Sequence, residues 1–212
     1  MRNYSIFDRA VIGLSRGLEA VNGKPEATAR ENPAERLPDS ELDEAQRKHV
    51  AGLMRVNHSG EIAAQALYHG QVVTARDEAV KQRLEQSAAE EGDHLIWCQT
   101  RVEELGEKTS LLSPLWYWGS FAIGALAGLA GDKWSLGFIK ETEDQVVEHL
   151  QGHLEQLPVE DQKSRAVIEQ MMIDEAHHGN KAVEAGGVPL PLPVKLWMRA
   201  ASKVMTTLSY RL

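Results

Sequence analysis

Glu91-Gly92-Asp93-His94 and, further along, Glu175-Ala176-His177-His178 are the stretches on which the fold turns. Residues three apart share a face of an α-helix, so each stretch offers one carboxylate and one imidazole in the same direction. A single Glu-x-x-His arises by chance in any Glu-rich helix. Two copies, each preceded by a helix carrying its own glutamate, read differently. Glu61 lies one predicted helix before the first copy and Glu143 one before the second. The midpoint of Glu61 and Glu91 is Arg76, at a break in helical periodicity, and that of Glu143 and Glu175 is Val159, beside Pro158. Both arms of a helical hairpin rise about 1.5 Å per residue, so residues equidistant from the turn meet at one height. Each hairpin therefore sets a glutamate level with a Glu-x-x-His.

The surrounding sequence supplies the helices this reading needs. Strand signals are nearly absent, with no Asn-Gly or Asp-Gly hairpin turn. Ser40 with Asp43 resembles a capping pair, and a first long helix follows to about Thr74, with Leu53, Val56, Ile62 and Leu67 among its apolar positions. A second ends near Gly106, a third covers roughly Trp134 to Leu157, and a fourth runs from about Glu160 to Ala185, closed by Gly186 and Gly187. Ahead of them, Ile6, Phe7, Ala10, Val11, Leu14 and Leu18 make one face of a short amphipathic helix. From Asn22 to Pro38 the chain lacks periodicity and reads as a loose linker. The expected organisation is a terminal helix and linker over residues 1–40, a helical bundle over 41–187, and a basic amphipathic helix over 188–212.

Four carboxylates facing one core would repel and largely protonate, because desolvation and like charge both raise a carboxyl pKa. Two divalent cations remove that penalty. A Glu from each of two helices plus a Glu-x-x-His from each of the others is the ligand plan of ferritin-like dimetal bundles. The expected fold is thus all-α, a ferritin-like antiparallel four-helix bundle with extra terminal helices. Its expected ligands are Glu61, Glu91, His94, Glu143, Glu175 and His178. Mixed oxygen and imidazole ligation suits iron or manganese. Tyr68, two turns after Glu61, and His149, six residues after Glu143, are candidates for groups acting beside the metals. His149 and His153, four apart, also admit a separate metal pair. His49, His58, His69 and His177 read as surface or packing residues.

Composition narrows the partners. The 212-residue chain is 42% hydrophobic and 25% charged, which places it among soluble globular proteins. A net charge of −8 argues against a nucleic-acid backbone as partner. Cys98 is the only cysteine, so neither an internal disulfide nor a thiolate-clustered zinc site can form. Met1 is followed by no basic-then-apolar leader, so export is not expected, and localisation is read from the interior of the sequence. From Thr109 to Gly131 no residue is charged, yet Ser113-Pro114 and four glycines interrupt the run. The expectation is an apolar helix lying along the bundle or dipping into one leaflet, with Trp116, Tyr117, Trp118 and Trp134 at the interface. Small residues Gly124, Ala127 and Gly128 would leave a gap there for a ring or a slender tail. From Pro189 onward there is no acidic residue, while Lys195, Arg199, Lys203 and Arg211 are basic, which suits an anionic membrane surface.

Arg55-Val56-Asn57-His58-Ser59-Gly60-Glu61, followed by Tyr68 and Gln71, resembles the first-helix signature of the demethoxyubiquinone hydroxylases. Glu91-Gly92-Asp93-His94-Leu95 and Asp174-Glu175-Ala176-His177-His178 resemble their second and fourth helix motifs, and the likeness runs from about Glu41 to Gly187. In the less distinctive third-helix stretch, Glu143 rather than Glu141 is the expected ligand. The resemblance implies a flavin-independent di-iron monooxygenase of ubiquinone biosynthesis, using two iron ions per chain and O2. It would hydroxylate the ring of a polyprenyl 3-methyl-6-methoxy-1,4-benzoquinol, bound peripherally at the cytoplasmic face of the inner membrane, as a homo-oligomer or within a biosynthetic complex. A ferritin-like iron-oxidising or storage protein, a di-manganese catalase and a non-enzymatic helical bundle remain the alternatives at this point.

Overall fold

The computed structural model describes residues 6–23 and 25–212; the side chains of Ile6, Phe7, Arg9, Ala10 and Leu14 lie outside that description. Among the described residues every regular element is helical: α1 (Ile6–Val21), α2 (Glu44–Thr74), α3 (Glu78–Glu104), α4 (Ser113–Leu129), α5 (Asp132–Gln156), α6 (Gln162–Glu184) and α7 (Leu192–Ser209).

Local chemistry sets the boundaries. Asp43 is itself the N-cap of α2: its carboxylate accepts from the Gln46 backbone N–H, and Gln46 reciprocates to the Asp43 N–H. Ser40, expected to share this role, instead donates its hydroxyl to the carbonyl of Glu160. Asp77 caps α3 by accepting from the Ala79 N–H, and Asp161 caps α6 by accepting from the Ser164 N–H, neither with a reciprocal bond. Pro114 occupies the first turn of α4, where its missing N–H has no partner to lose.

Helices α2 and α3 pack along each other, as do α5 and α6; α3 also meets α6, and α2 meets α5. Two apolar clusters fill this bundle. One gathers Val50, Met54, Trp97, Val102, Leu150, Ile168 and Met171. The other gathers Tyr68, Val72, Leu84, Leu136, Ile139 and Ala182. On each of the four helices, the glutamate singled out by spacing falls between a residue of the first cluster and one of the second. The polar site is thereby sealed at both ends by apolar side chains.

Helix α4 lies along α2 at backbone contact. A Cβ built on Gly124 would stand 2.2 Å from the Leu67 carbonyl oxygen, and one on Gly70 would stand 2.1 Å from the Phe121 oxygen. Gly128 likewise abuts Thr74. The small-residue stripe thus closes α4 onto α2 and leaves no gap there, contrary to the expected passage. Tyr117 is fully buried, its hydroxyl 2.7 Å from His69 Nδ1, so it is a packing residue rather than an interfacial one. Trp118 and Trp134 are exposed. Among the described residues, no helix is long and apolar enough to cross a membrane. Of the α1 face read from the sequence, the described Val11 and Leu18 point to solvent.

Helix α7 crosses α2 and α5. Two of its three basic residues are already engaged: Lys195 Nζ lies 2.5 Å from Glu141 and Arg199 lies 2.9 Å from Glu148. Its exposed side is amphipathic, with Leu192, Leu196, Trp197, Val204 and Leu208 beside Arg199 and Lys203.

Candidate metal centre

The structure brings the six residues named from spacing into one buried cluster. They form two overlapping groups, Glu61-Glu91-His94-Glu175 and Glu91-Glu143-Glu175-His178, within each of which the donor atoms lie within 4.8 Å of one another. Glu91 and Glu175 belong to both. Glu91 sets Oε2 3.1 Å from His94 Nδ1 and Oε1 3.0 Å from His178 Nδ1. Glu175 sets Oε1 3.1 Å from His94 Nδ1 and Oε2 3.2 Å from His178 Nδ1. Each of these carboxylates spans the two imidazoles, while Glu61 stands beside His94 and Glu143 beside His178. Glu141, by contrast, faces Lys195 and takes no part.

Electrostatics say what the cluster lacks. Burial, followed by the charges of Glu91 and Glu175, pushes the Glu61 carboxyl well above the ordinary range; burial, then Glu175 and Glu91, does the same to Glu143. Burial alone would pull His94 down, yet Asp174, Glu175, Glu61 and Glu91 together hold it well above its usual value. His178 is raised against its own burial by Glu91, Glu175 and Glu90. Without a cation, burial and mutual repulsion favour protonation of the cluster. Glu61 Oε2 and Glu143 Oε2 nevertheless have no hydrogen-bond partner, although a buried acceptor left alone costs about 1–3 kcal/mol. Orphaned carboxylate oxygens converging with imidazole Nδ1 atoms are the donor set of a divalent cation. The residues fit a metal.

Sequence reasoning missed the groups that orient the imidazoles. His94 Nε2 lies 2.9 Å from Asp174, and His178 Nε2 lies 2.6 Å from Glu90. Each partner is the acidic residue just before the Glu-x-x-His of the opposite helix, a doubling (Glu90-Glu91, Asp174-Glu175) that was visible but unread. Through the far ring nitrogen, these carboxylates leave Nδ1 turned to the centre. Asp174 is in turn held by Arg30, 2.8 Å away, whose guanidinium also contacts Asp93 and lies 4.9 Å over the Trp97 ring. The stretch read as a loose linker is therefore pinned across α3. Gly92 allows it: a Cβ there would stand 1.8 Å from the Glu26 carbonyl oxygen.

Tyr68 donates its hydroxyl to Glu143 Oε1 at 2.5 Å. His149 lies elsewhere, its ring 4.0 Å from that of His153 in the wall of a separate cavity. His58 and His69 are buried packing residues, held by burial to about 4 and about 3. His177 is exposed.

That cavity, about 350 Å³, is bounded by α2, α4, α5 and α7. Leu115, Trp116, Trp197 and Met205 line it along α4 and α7, and Asn57, Gly60, Glu61 and Thr142 along α2 and α5. Glu61 belongs both to this wall and to the donor cluster, so the apolar cavity abuts the polar centre. Its volume lies within the range of small-molecule sites.

The sequence matches the family of ubiquinone biosynthesis protein COQ7 over residues 48–209. The chain belongs to this family. Its relatives agree over their full lengths. It is 53% identical over 209 residues to the 3-demethoxyubiquinol 3-hydroxylase of Nitrosococcus oceani, covering 99% of this chain and 98% of that one. It is 54% identical over 214 residues to the protein of the same name from Cupriavidus pinatubonensis, covering 100% and 98%. The likeness to the Acinetobacter baumannii protein is 52% over 212 residues, complete on both sides.

Proposed function

We propose that this protein is a 3-demethoxyubiquinol 3-hydroxylase, a monooxygenase that holds two iron ions in a ferritin-like four-helix bundle and hydroxylates the ring of a polyprenyl 3-methyl-6-methoxy-1,4-benzoquinol. Its relatives bear that name, and the carrying observation is Glu61, shared by a two-cation donor cluster and the wall of an apolar cavity. Glu91 and Glu175, common to both donor groups, would serve both ions, with Glu61 and His94 holding one and Glu143 and His178 the other. When bound, the irons supply the activation of O2, without a flavin. The chain's own residues do the rest. Apolar walls exclude water and hold a flat ring against Glu61. Tyr68 fixes Glu143 through its hydrogen bond, and burial followed by the Glu143 charge keeps the phenol protonated. His149 presents an unpaired Nε2, held neutral by burial, at the cavity wall.

The substrate enters between α4 and α7 rather than through the α4 glycines, because Trp116, Trp197 and Met205 border the cavity there and the glycines are closed against α2. Exposed Leu115, Leu126, Leu129, Leu196 and Leu208 form an apolar rim suited to peripheral attachment at the cytoplasmic face of the inner membrane. Attachment to vesicles should then be reduced in Leu196→Asp, and wild-type retention in that variant would count against the rim.

A strain lacking the protein should accumulate the demethoxy precursor and regain ubiquinone with the wild-type chain but not with Glu61→Ala. Full recovery with Glu61→Ala would remove the cluster from the function.

A further inference from the structure

Asn57 is a polar side chain with no structural reason to be where it is. It lines the cavity one helical turn before Glu61, on the same face of α2, and is 2% exposed. Its Nδ2 faces only the Met54 sulfur, at 3.8 Å, and its Oδ1 has no hydrogen-bond partner. Buried amides in folded proteins are normally satisfied, because leaving one unpaired costs the desolvation of the group. A leucine would fill a comparable volume without that cost. An orphaned acceptor beside Glu61, in a wall that is largely but not wholly apolar, is an arrangement that waits for a donor on a ligand.

We propose that Asn57 reads the redox state of the ring, accepting a hydrogen bond at Oδ1 from a hydroxyl of the bound quinol. The inference rests on the reading of the protein as a quinol hydroxylase and adds a selectivity to it. A quinol offers O–H donors at both ring oxygens, whereas the quinone offers only carbonyl acceptors. Oδ1 cannot bond to a carbonyl oxygen. Rotating the amide to present Nδ2–H would turn Oδ1 toward the Met54 sulfur, exchanging a weak N–H···S contact for none. The site as built therefore favours the reduced ring, and the same bond holds that ring at Glu61, where the metal centre begins.

The test is binding, read separately from turnover. The full chain is loaded with zinc, which neither reduces a quinone nor oxidises a quinol. It is titrated without oxygen with a short-tailed 3-methyl-6-methoxy-1,4-benzoquinol and with its quinone, following the fluorescence of Trp116 and Trp197 in the cavity wall. Wild type should bind the quinol about tenfold more tightly than the quinone, the effect of one neutral hydrogen bond in a dry site. Asn57→Leu should lose about tenfold for the quinol and leave the quinone within about twofold, with zinc content unchanged and a melting temperature equal or higher. Equal affinity of wild type for the two forms overturns the assignment, with or without a folded variant. So does a parallel loss for both forms in Asn57→Leu, the mark of a merely structural role. Iron-loaded wild type that hydroxylates no quinol at all overturns the functional reading, and the inference with it. Turnover without redox preference overturns the inference alone.

Discussion

Replacing Gly124 with alanine tests whether α4 is seated on α2 by backbone contact. The added Cβ would meet the Leu67 oxygen at 2.2 Å and the Leu67 carbonyl carbon and Cα at 2.9 Å. Ordinary contacts begin near 3.4 Å, so the helices must separate by roughly 1 Å; backbone atoms cannot rotate aside as a side chain does. Overpacking of this kind costs about 3 kcal/mol at the upper end of its usual range. Alanine returns about 1 kcal/mol of helix propensity relative to glycine. The net loss is about 2 kcal/mol, which for a chain of this size lowers the melting temperature by about 4–8 °C. Gly119, on the same helix, has nothing within 4 Å of its built Cβ. Gly119→Ala should therefore keep the propensity gain and raise the melting temperature by about 2–4 °C. Thermal unfolding followed by circular dichroism at 222 nm measures both. If Gly124→Ala melts with wild type, or the two variants fall together, the α2–α4 contact is looser than the structure has it and the glycine stripe could again be an entry route.

Asp174→Asn removes the carboxylate at His94 Nε2 while keeping the shape, and should weaken ferrous binding by about 10–100-fold with all six proposed ligands intact; unchanged affinity in an anaerobic titration would show that Asp174 does not orient the ring. Gly119→Leu projects into open space in the cavity wall, and should raise KM for a long-tailed quinol without altering iron content; normal kinetics would place the substrate elsewhere. Metal uptake should release protons, because His94 and His178, both raised above their usual range, must give up theirs to bind a cation. Raised values mean protons held as pH rises through neutrality, so affinity should climb with pH, with at least about two protons, one per imidazole, released when both ligand sets fill at pH 7. Calorimetry in buffers of differing ionisation enthalpy reads that number, and zero release would mean the imidazoles are neutral before metal arrives.

The helices and the cluster were legible because they depend on spacing. Residues 61, 91, 143 and 175 could be paired across two turns by counting, since a helix carries a fixed rise and a hairpin mirrors it. Asp43 announces its helix through local hydrogen bonds of a few residues' span, and Asp77 and Asp161 cap theirs by the same local chemistry, which went unread. Contacts between distant segments leave no such trace. Arg30 meets Asp174 across 144 residues, and nothing periodic joins them. Glycines at 124 and 128 signal a close approach or an opening equally well, and only the position of α2 decides. Lys195 and Arg199 read as free charge until Glu141 and Glu148 are found opposite. The cavity, shared among α2, α4, α5 and α7, belongs to no single stretch of sequence.

The most direct measurement is a turnover under 18O2. The chain, loaded anaerobically with about two equivalents of ferrous iron to match two ligand sets, is given demethoxyubiquinol and a reductant, and the product is weighed by mass spectrometry. One labelled oxygen atom should appear in the hydroxylated ring, and only with iron bound. An unaltered quinol recovered from protein holding both irons, or product whose new oxygen comes from water, would contradict the assignment.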